Sequence, residues 1–196
     1  MSKHDLKNFE ARLKDLMGGN NNLRPFVCEG SPLACQAFII GLNPANKLDD
    51  PFWKFWDSDY GFRKSEWFEY YKQEKRSRPL APGKTKRAAI GNTRRVIDWI
   101  VEEASPVRCL ETNIHALATA RAKDLPTEYR RTEIFDFLLK AIDPKVLLLH
   151  GKDAEQHIKE VSTSAQIIAV PHLAIGWSQI NAKKLGRQIR EACTAT

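Results

Sequence analysis

Four short apolar runs decide what this chain can fold into: residues 36–42 (QAFIIGL), 107–112 (VRCLET), 145–150 (KVLLLH) and 166–170 (QIIAV). Each is apolar at successive positions rather than alternate ones, which is the pattern of strands buried on both faces in a parallel sheet. The first run closes on Asn43-Pro44, and because proline cannot donate to a central ladder, the strand ends there. Leu6, Phe9, Leu13 and Leu16 open the chain at helical spacing, and the pattern stops at Gly18 and Gly19. Helical patterns follow over residues 92–104, with Val96, Ile97, Ile100 and Val101 on one face, over 127–142, with Ile134, Phe137 and Leu138, and over 153–161. A last helix starts at Ser178, a good N-cap, and runs through Leu185 and Ile189. Strand and helix in alternation predict a three-layer α/β/α sandwich around a short, mainly parallel four-stranded sheet. In such sheets ligands bind beyond the carboxyl ends of the strands, so function is to be sought just after each run.

The 196 residues fit one domain with a core of its own, and 42% apolar against 28% charged residues excludes a disordered chain. One stretch breaks the alternation. Residues at about 47–91 form a long insertion that begins with the aromatic DDPFWKFWDSDYGF and ends in the basic RSRPLAPGKTKR. Long loops in compact domains are commonly functional, and this one is expected to order when it meets a partner.

The net charge is +7 and the pI about 9.3. Lys72, Lys75, Arg76, Arg78, Lys84, Lys86, Arg87, Arg94 and Arg95 face only Glu74 in their segment, a local excess that suits phosphate contacts, with Lys84, Lys86 and Arg87 as the central candidates. The same charge also serves plain solubility. Cys28, Cys35, Cys109 and Cys193 form no C-x-x-C pair and have no histidine cluster beside them, so reduced thiols are expected and no metal or cofactor. The amino terminus has no apolar signal core and no run reaches about 18 apolar residues. A cytoplasmic, monomeric protein without a membrane partner is the expectation.

The residues after the strands are Gly41-Leu42-Asn43-Pro44-Ala45, then Asn113, then His150-Gly151-Lys152, then Pro171-His172-Leu173-Ala174-Ile175-Gly176-Trp177-Ser178. Amides offer donor and acceptor together and a neutral imidazole donates to a carbonyl, so two amides and a histidine suit a flat polar heterocycle. Phe52, Trp53, Phe55 and Trp56 offer a stacking face. With a basic rim, that heterocycle reads as a nucleobase.

These motifs resemble those of the uracil-DNA glycosylase superfamily. GLNPA (residues 41–45) is close to the GINPG form of the mismatch-specific uracil-DNA glycosylases, and PFWK (51–54) is similar to the element that carries their base-stacking Phe. ETN (111–113) stands where the single-strand-competent enzymes carry a base-reading Asn, and PHLAIGWS (171–178) resembles the second motif, which begins with His and ends in a DNA wedge. The resemblance covers roughly residues 36–190. It implies a hydrolase that flips a damaged base out of DNA in base excision repair, with no cofactor. By that resemblance Asn43 holds the attacking water and His172 donates to the departing base. Gly41, Leu42, Pro44 and Ala45 shape the base pocket, Phe52 stacks on the base and Asn113 reads its edge. Trp177 is the first candidate for the wedge and Ile175 the second, and Ser178 binds a phosphate.

The sequence also departs from that pattern. Asn43 stands where many members carry Asp, and an amide takes no proton. Ala45 replaces the bulky Tyr that excludes thymine, leaving room beside C5. HLAIGWS lacks the usual Pro-Ser after His. Bland roles stay open beside the functional ones: Asn43-Pro44 as a turn, Asn113 as a helix cap, His172 as a loop histidine, Ser178 as an N-cap, and most of the four aromatics as packing. Two rival functions remain, a catalytically weak or inactive nucleic-acid-binding module of the same fold, and a hydrolase of free nucleosides.

Overall fold

The computed structural model describes residues 3–45, 48–80, 82–83 and 85–194, with side chains from Asp5 onward. Helix α1 (Lys3–Met17) precedes two short strands, β1 (Phe26–Val27) and β2 (Glu29–Gly30), and then β3 (Ala37–Gly41). The insertion supplies β4 (Trp56–Asp57), β5 (Gly61–Arg63) and helix α2 (Lys64–Ser77). The alternating part follows as α3 (Asn92–Ala104), β6 (Cys109–Asn113), α4 (Glu133–Ile142), β7 (Val146–His150), α5 (Lys152–Ile158), β8 (Gln166–Val170) and α6 (Gln179–Thr194).

The fold is mixed α/β around a five-stranded sheet in the order β1-β6-β3-β7-β8. Its last four strands are the four apolar runs and pair in parallel. β1 is the addition: Phe26 and Val27 pair antiparallel with Thr112 and Glu111. Two residues carry no periodicity, which is why the sheet has five strands rather than the expected four. Along β3 the side chains alternate between two cores. Phe38 and Ile40 join α1, α4 and the aromatic insertion, whereas Ala37 and Ile39 join α3 and α6. Helices α3 and α6 meet closely, because Gly186 lets the backbone of α6 approach the Ile100 carbonyl.

Two helix boundaries and the exposure of one strand differ from the sequence reading. The helix expected over 127–142 starts at Glu133, after a single 3₁₀ turn at Thr127–Tyr129. The one expected over 153–161 is Lys152–Ile158. β8 is a sheet edge with Ile167 48% exposed, so it is covered on one face only; an apolar run at an edge looks the same in sequence as one in the middle.

Residues 48–77 of the insertion form regular elements seated on the rest of the chain. β4 and β5 pair with β2 as a three-stranded antiparallel sheet, and α2 buries Trp67 and Tyr71. Phe52, Phe55 and Phe62 pack into the core, and aromatic burial of this extent stabilises the arrangement.

Candidate functional site

Register brings the strand ends to one level. Gly41 pairs with Asn113, and Ile40 pairs with Leu149, so Gly41 stands beside His150 as well. By the two-residue alternation all three lie on the α3/α6 face of the sheet. A Cβ on Gly41 would lie 2.8 Å from Asn113 Oδ1, 2.8 Å from His150 Cε1 and 2.9 Å from His150 Nε2. Glycine here is a requirement of space, since both side chains reach over the position it leaves empty.

Above this row opens a cavity of about 390 Å³, a size that holds a small ligand. Asn43, Pro44, Ala45, Phe52, Asn113, His150 and His172 all line it. The expected residues Asn43, Pro44, Ala45, Phe52, Asn113 and His172 therefore share one wall, and His150, for which the sequence offered no role, joins them from the end of β7. Leu42 turns instead into the core beside α1 and α4.

The loops hold the polar groups in defined orientations. Asn43 Nδ2 donates to Thr119 Oγ1 at 2.8 Å, Thr119 Oγ donates in turn to the Arg121 carbonyl at 2.9 Å, and the Thr119 N–H donates to the Pro44 carbonyl. The amide nitrogen of Asn43 is thus committed, and its Oδ1 meets no donor among the described residues. His172 Nδ1 accepts the Ala174 N–H at 3.2 Å; in the neutral ring the proton then sits on Nε2. The ring of His172 meets that of His150 edge to face at 5.0 Å. Burial, and then the His172 ring, push the His150 imidazole down to about 4, so it is neutral at pH 7.

Phe52 presents a cavity wall while its ring stacks on Phe62 (5.0 Å, 18°) and meets Phe26 edge-on. Arg24 fixes the approach to it, donating to the carbonyls of Leu48 and Asp50. Of the remaining aromatics Phe55 also lines the cavity, and Trp53 and Trp56 are packing.

Glu111, two residues before Asn113, is the feature the sequence reading missed. It lines the cavity at 6% exposure, with Lys64 Nζ at 2.7 Å and Arg94 hydrogen-bonded to its other oxygen. Burial works to raise its carboxyl, but Arg94 and Lys64 outweigh burial and hold it below the ordinary carboxylate range. Arg94 also lies over the Trp67 ring, 5.0 Å from its centre. A charge in an otherwise apolar run was the available signal, because buried charges are paired.

This pairing alters the reading of the basic segment. Arg94 is neutralised inside the protein, and Arg87 donates to the carbonyls of Lys75, Arg78 and Pro79 at the end of α2, where it acts as a helix cap. Lys86 is exposed, and Lys84 lies outside the described residues. Burial, then Arg87 and Arg95, lower the Lys75 ammonium, which marks a concentration of positive charge there. The segment runs directly into Gly91, Asn92 and Thr93, which line the cavity.

Beyond β8 the two wedge candidates differ in exposure. Trp177 is half-buried against the α3/α6 core, whereas Ile175 is 82% exposed beside Gly176, whose φ is 79°. Ser178 Oγ accepts the Asn181 N–H at 3.2 Å, so it caps α6. All four cysteines are buried and free. Among the described residues no helix is long and apolar enough to cross a membrane. What the site offers is two oriented amides and two imidazoles around one space, at the rim of a basic segment; no protein-family model and no curated protein matches the chain.

Proposed function

We propose that this chain is a DNA glycosylase of the uracil-DNA glycosylase type, hydrolysing the bond between deoxyribose and uracil or a related deaminated base that has left the helix. The observation that carries the reading is the convergence of Asn43, Asn113 and His172 on one cavity at the carboxyl ends of parallel strands. The resemblance in GLNPA, PFWK, ETN and PHLAIGWS supports the same assignment.

In this mechanism the flipped base enters the cavity at a cost of a few kcal/mol in lost stacking, and contact with Phe52 returns about 1–3 kcal/mol. Asn113 reads the edge that paired in the duplex. As the C1′–N bond breaks, its electron pair moves onto the base, and His172 Nε2–H donates to the carbonyl that gains negative charge. Asn43 Oδ1 accepts a hydrogen bond from water, turning the water's lone pair towards the cationic sugar carbon. The water oxygen bonds to C1′ and its proton leaves to solvent, because an amide takes none. Slow turnover follows. Ile175 fills the gap in the stack, and Lys86 with its basic neighbours attracts the phosphates.

Purified protein incubated with single-stranded and duplex oligonucleotides containing uracil, hypoxanthine or xanthine is expected to yield alkali-labile abasic sites, and Asn43→Ala to slow their appearance. No abasic product from any substrate would remove the hydrolase assignment. A second reading, a DNA-binding module without useful turnover, draws on the carboxylates of the cavity wall: Glu111 is held by two cations and Asp50 by Lys54. Salt-dependent binding of uracil-containing DNA without product would favour it.

A further inference from the structure

We propose that His150 contacts the bound guest, its Nε2 hydrogen-bonding a ring edge on which N–H and C=O stand side by side, and that it determines specificity together with Asn113. This rests on the reading of the cavity as a nucleobase site. Histidine at the end of a buried strand has an ordinary alternative, a core histidine satisfied by its surroundings. The surroundings do not satisfy it. Among the described residues neither ring nitrogen of His150 has a hydrogen-bond partner, and Nδ1 is completely enclosed. Native proteins rarely leave such a group unpaired, and one that is calls for an explanation.

The ring is also aimed. Its Cε1–Nε2 edge points over Gly41 to the same spot that Asn113 Oδ1 reaches, and His150 forms part of the cavity wall. Burial keeps the imidazole neutral, so Nε2, the ring nitrogen that is not enclosed, offers the guest a single donor or acceptor set by the tautomer rather than a charge. An amide and a neutral imidazole side by side match a lactam edge, which uracil and hypoxanthine share. The cavity and the small Ala45 leave room for a monocyclic or a bicyclic ring, and the test separates the two.

The full chain labelled with ¹⁵N-histidine is titrated with free uracil and with free hypoxanthine, the His150 ring signals being assigned by their loss in His150→Gln. The expected result is a saturable shift of those signals with at least one base. His150→Leu then separates the two roles, since leucine relieves the unpaired nitrogen and should keep or raise Tm. Binding of the same base should nevertheless weaken roughly tenfold, with His150→Gln recovering part of it. Base binding that leaves the His150 signals unmoved, or a His150→Leu protein that binds as tightly as the parent, overturns the proposal and makes His150 a core residue. Base binding with shifted His150 signals but no abasic product upholds it while removing the hydrolase assignment. If neither free base binds and neither uracil- nor hypoxanthine-containing DNA binds, both readings are overturned.

Discussion

Replacing Gly41 with alanine places a methyl group where Asn113 and His150 meet. The new carbon would sit 2.8 Å from Asn113 Oδ1 and from His150 Cε1, against the 3.4 Å at which ordinary contact begins, so each side chain must retreat by at least 0.6 Å. Neither has much room. His150 is 8% exposed and flanked by the His172 ring at 5.0 Å, and Asn113 is fixed at the end of the central strand pair. Overpacking of this kind costs about 1–3 kcal/mol, from which the lower backbone entropy of unfolded alanine subtracts about 0.4–1 kcal/mol. A net loss of about 1–2 kcal/mol corresponds to roughly 2–8 °C in Tm for a chain of this size. The functional effect should be larger, because displacing a reading group by about 1 Å can lower a rate by about a hundredfold. Thermal melts and abasic-site formation on the best oligonucleotide substrate would be measured on the same preparation. A Gly41→Ala protein with parental Tm and activity within about threefold would refute the convergence of these groups on one guest.

Glu111→Ala should be destabilised by about 3–5 kcal/mol in urea unfolding, because it leaves Lys64 and Arg94 buried without their partner. Since the folded carboxyl titrates below its unfolded value, its contribution is fully present above about pH 4.3 and is lost as pH falls towards the folded value. The acid limb of the stability curve should therefore flatten in Glu111→Gln, and an unchanged limb would count against the ion cluster. Gly186→Ala, which normally favours a helix by about 1 kcal/mol, should instead destabilise by about 2–3 kcal/mol, since its Cβ would meet the Ile100 carbonyl at 2.5 Å; guest affinity of the folded fraction should not change. Ile175→Ala should leave Tm unaltered and slow cleavage in duplex more than in single strands, whereas Trp177→Ala should lower Tm. Equal effects of the two on Tm would reject that division of roles.

Much of the scaffold was legible because its signals are local. QAFIIGL, VRCLET, KVLLLH and QIIAV are strands within a residue or two of their apolar bounds, and the helix expected at 92–104 is α3 to the residue. Strand ends follow from Pro44 and from the change of period, so the positions of Asn43, Asn113 and His172 at or just beyond the ends of their strands were also readable. What could not be read depends on residues distant in the chain. The state of Glu111 is set by Lys64 and Arg94, 47 and 17 residues away, and the amide orientation of Asn43 by Thr119, 76 residues on. Arg87 has the same composition whether it meets phosphate or, as here, the end of α2. Phe52 faces the cavity and Trp53 does not because one 3₁₀ turn is seated against Phe26 and Phe62. His150 gained its place only when parallel register set it beside Gly41. Periodicity and proline, both local to the chain, were enough to define the elements and the side-chain chemistry at the strand ends. Tertiary packing alone decided which charges are spent internally and which polar atoms remain open, because desolvation and pairing are properties of neighbours in space.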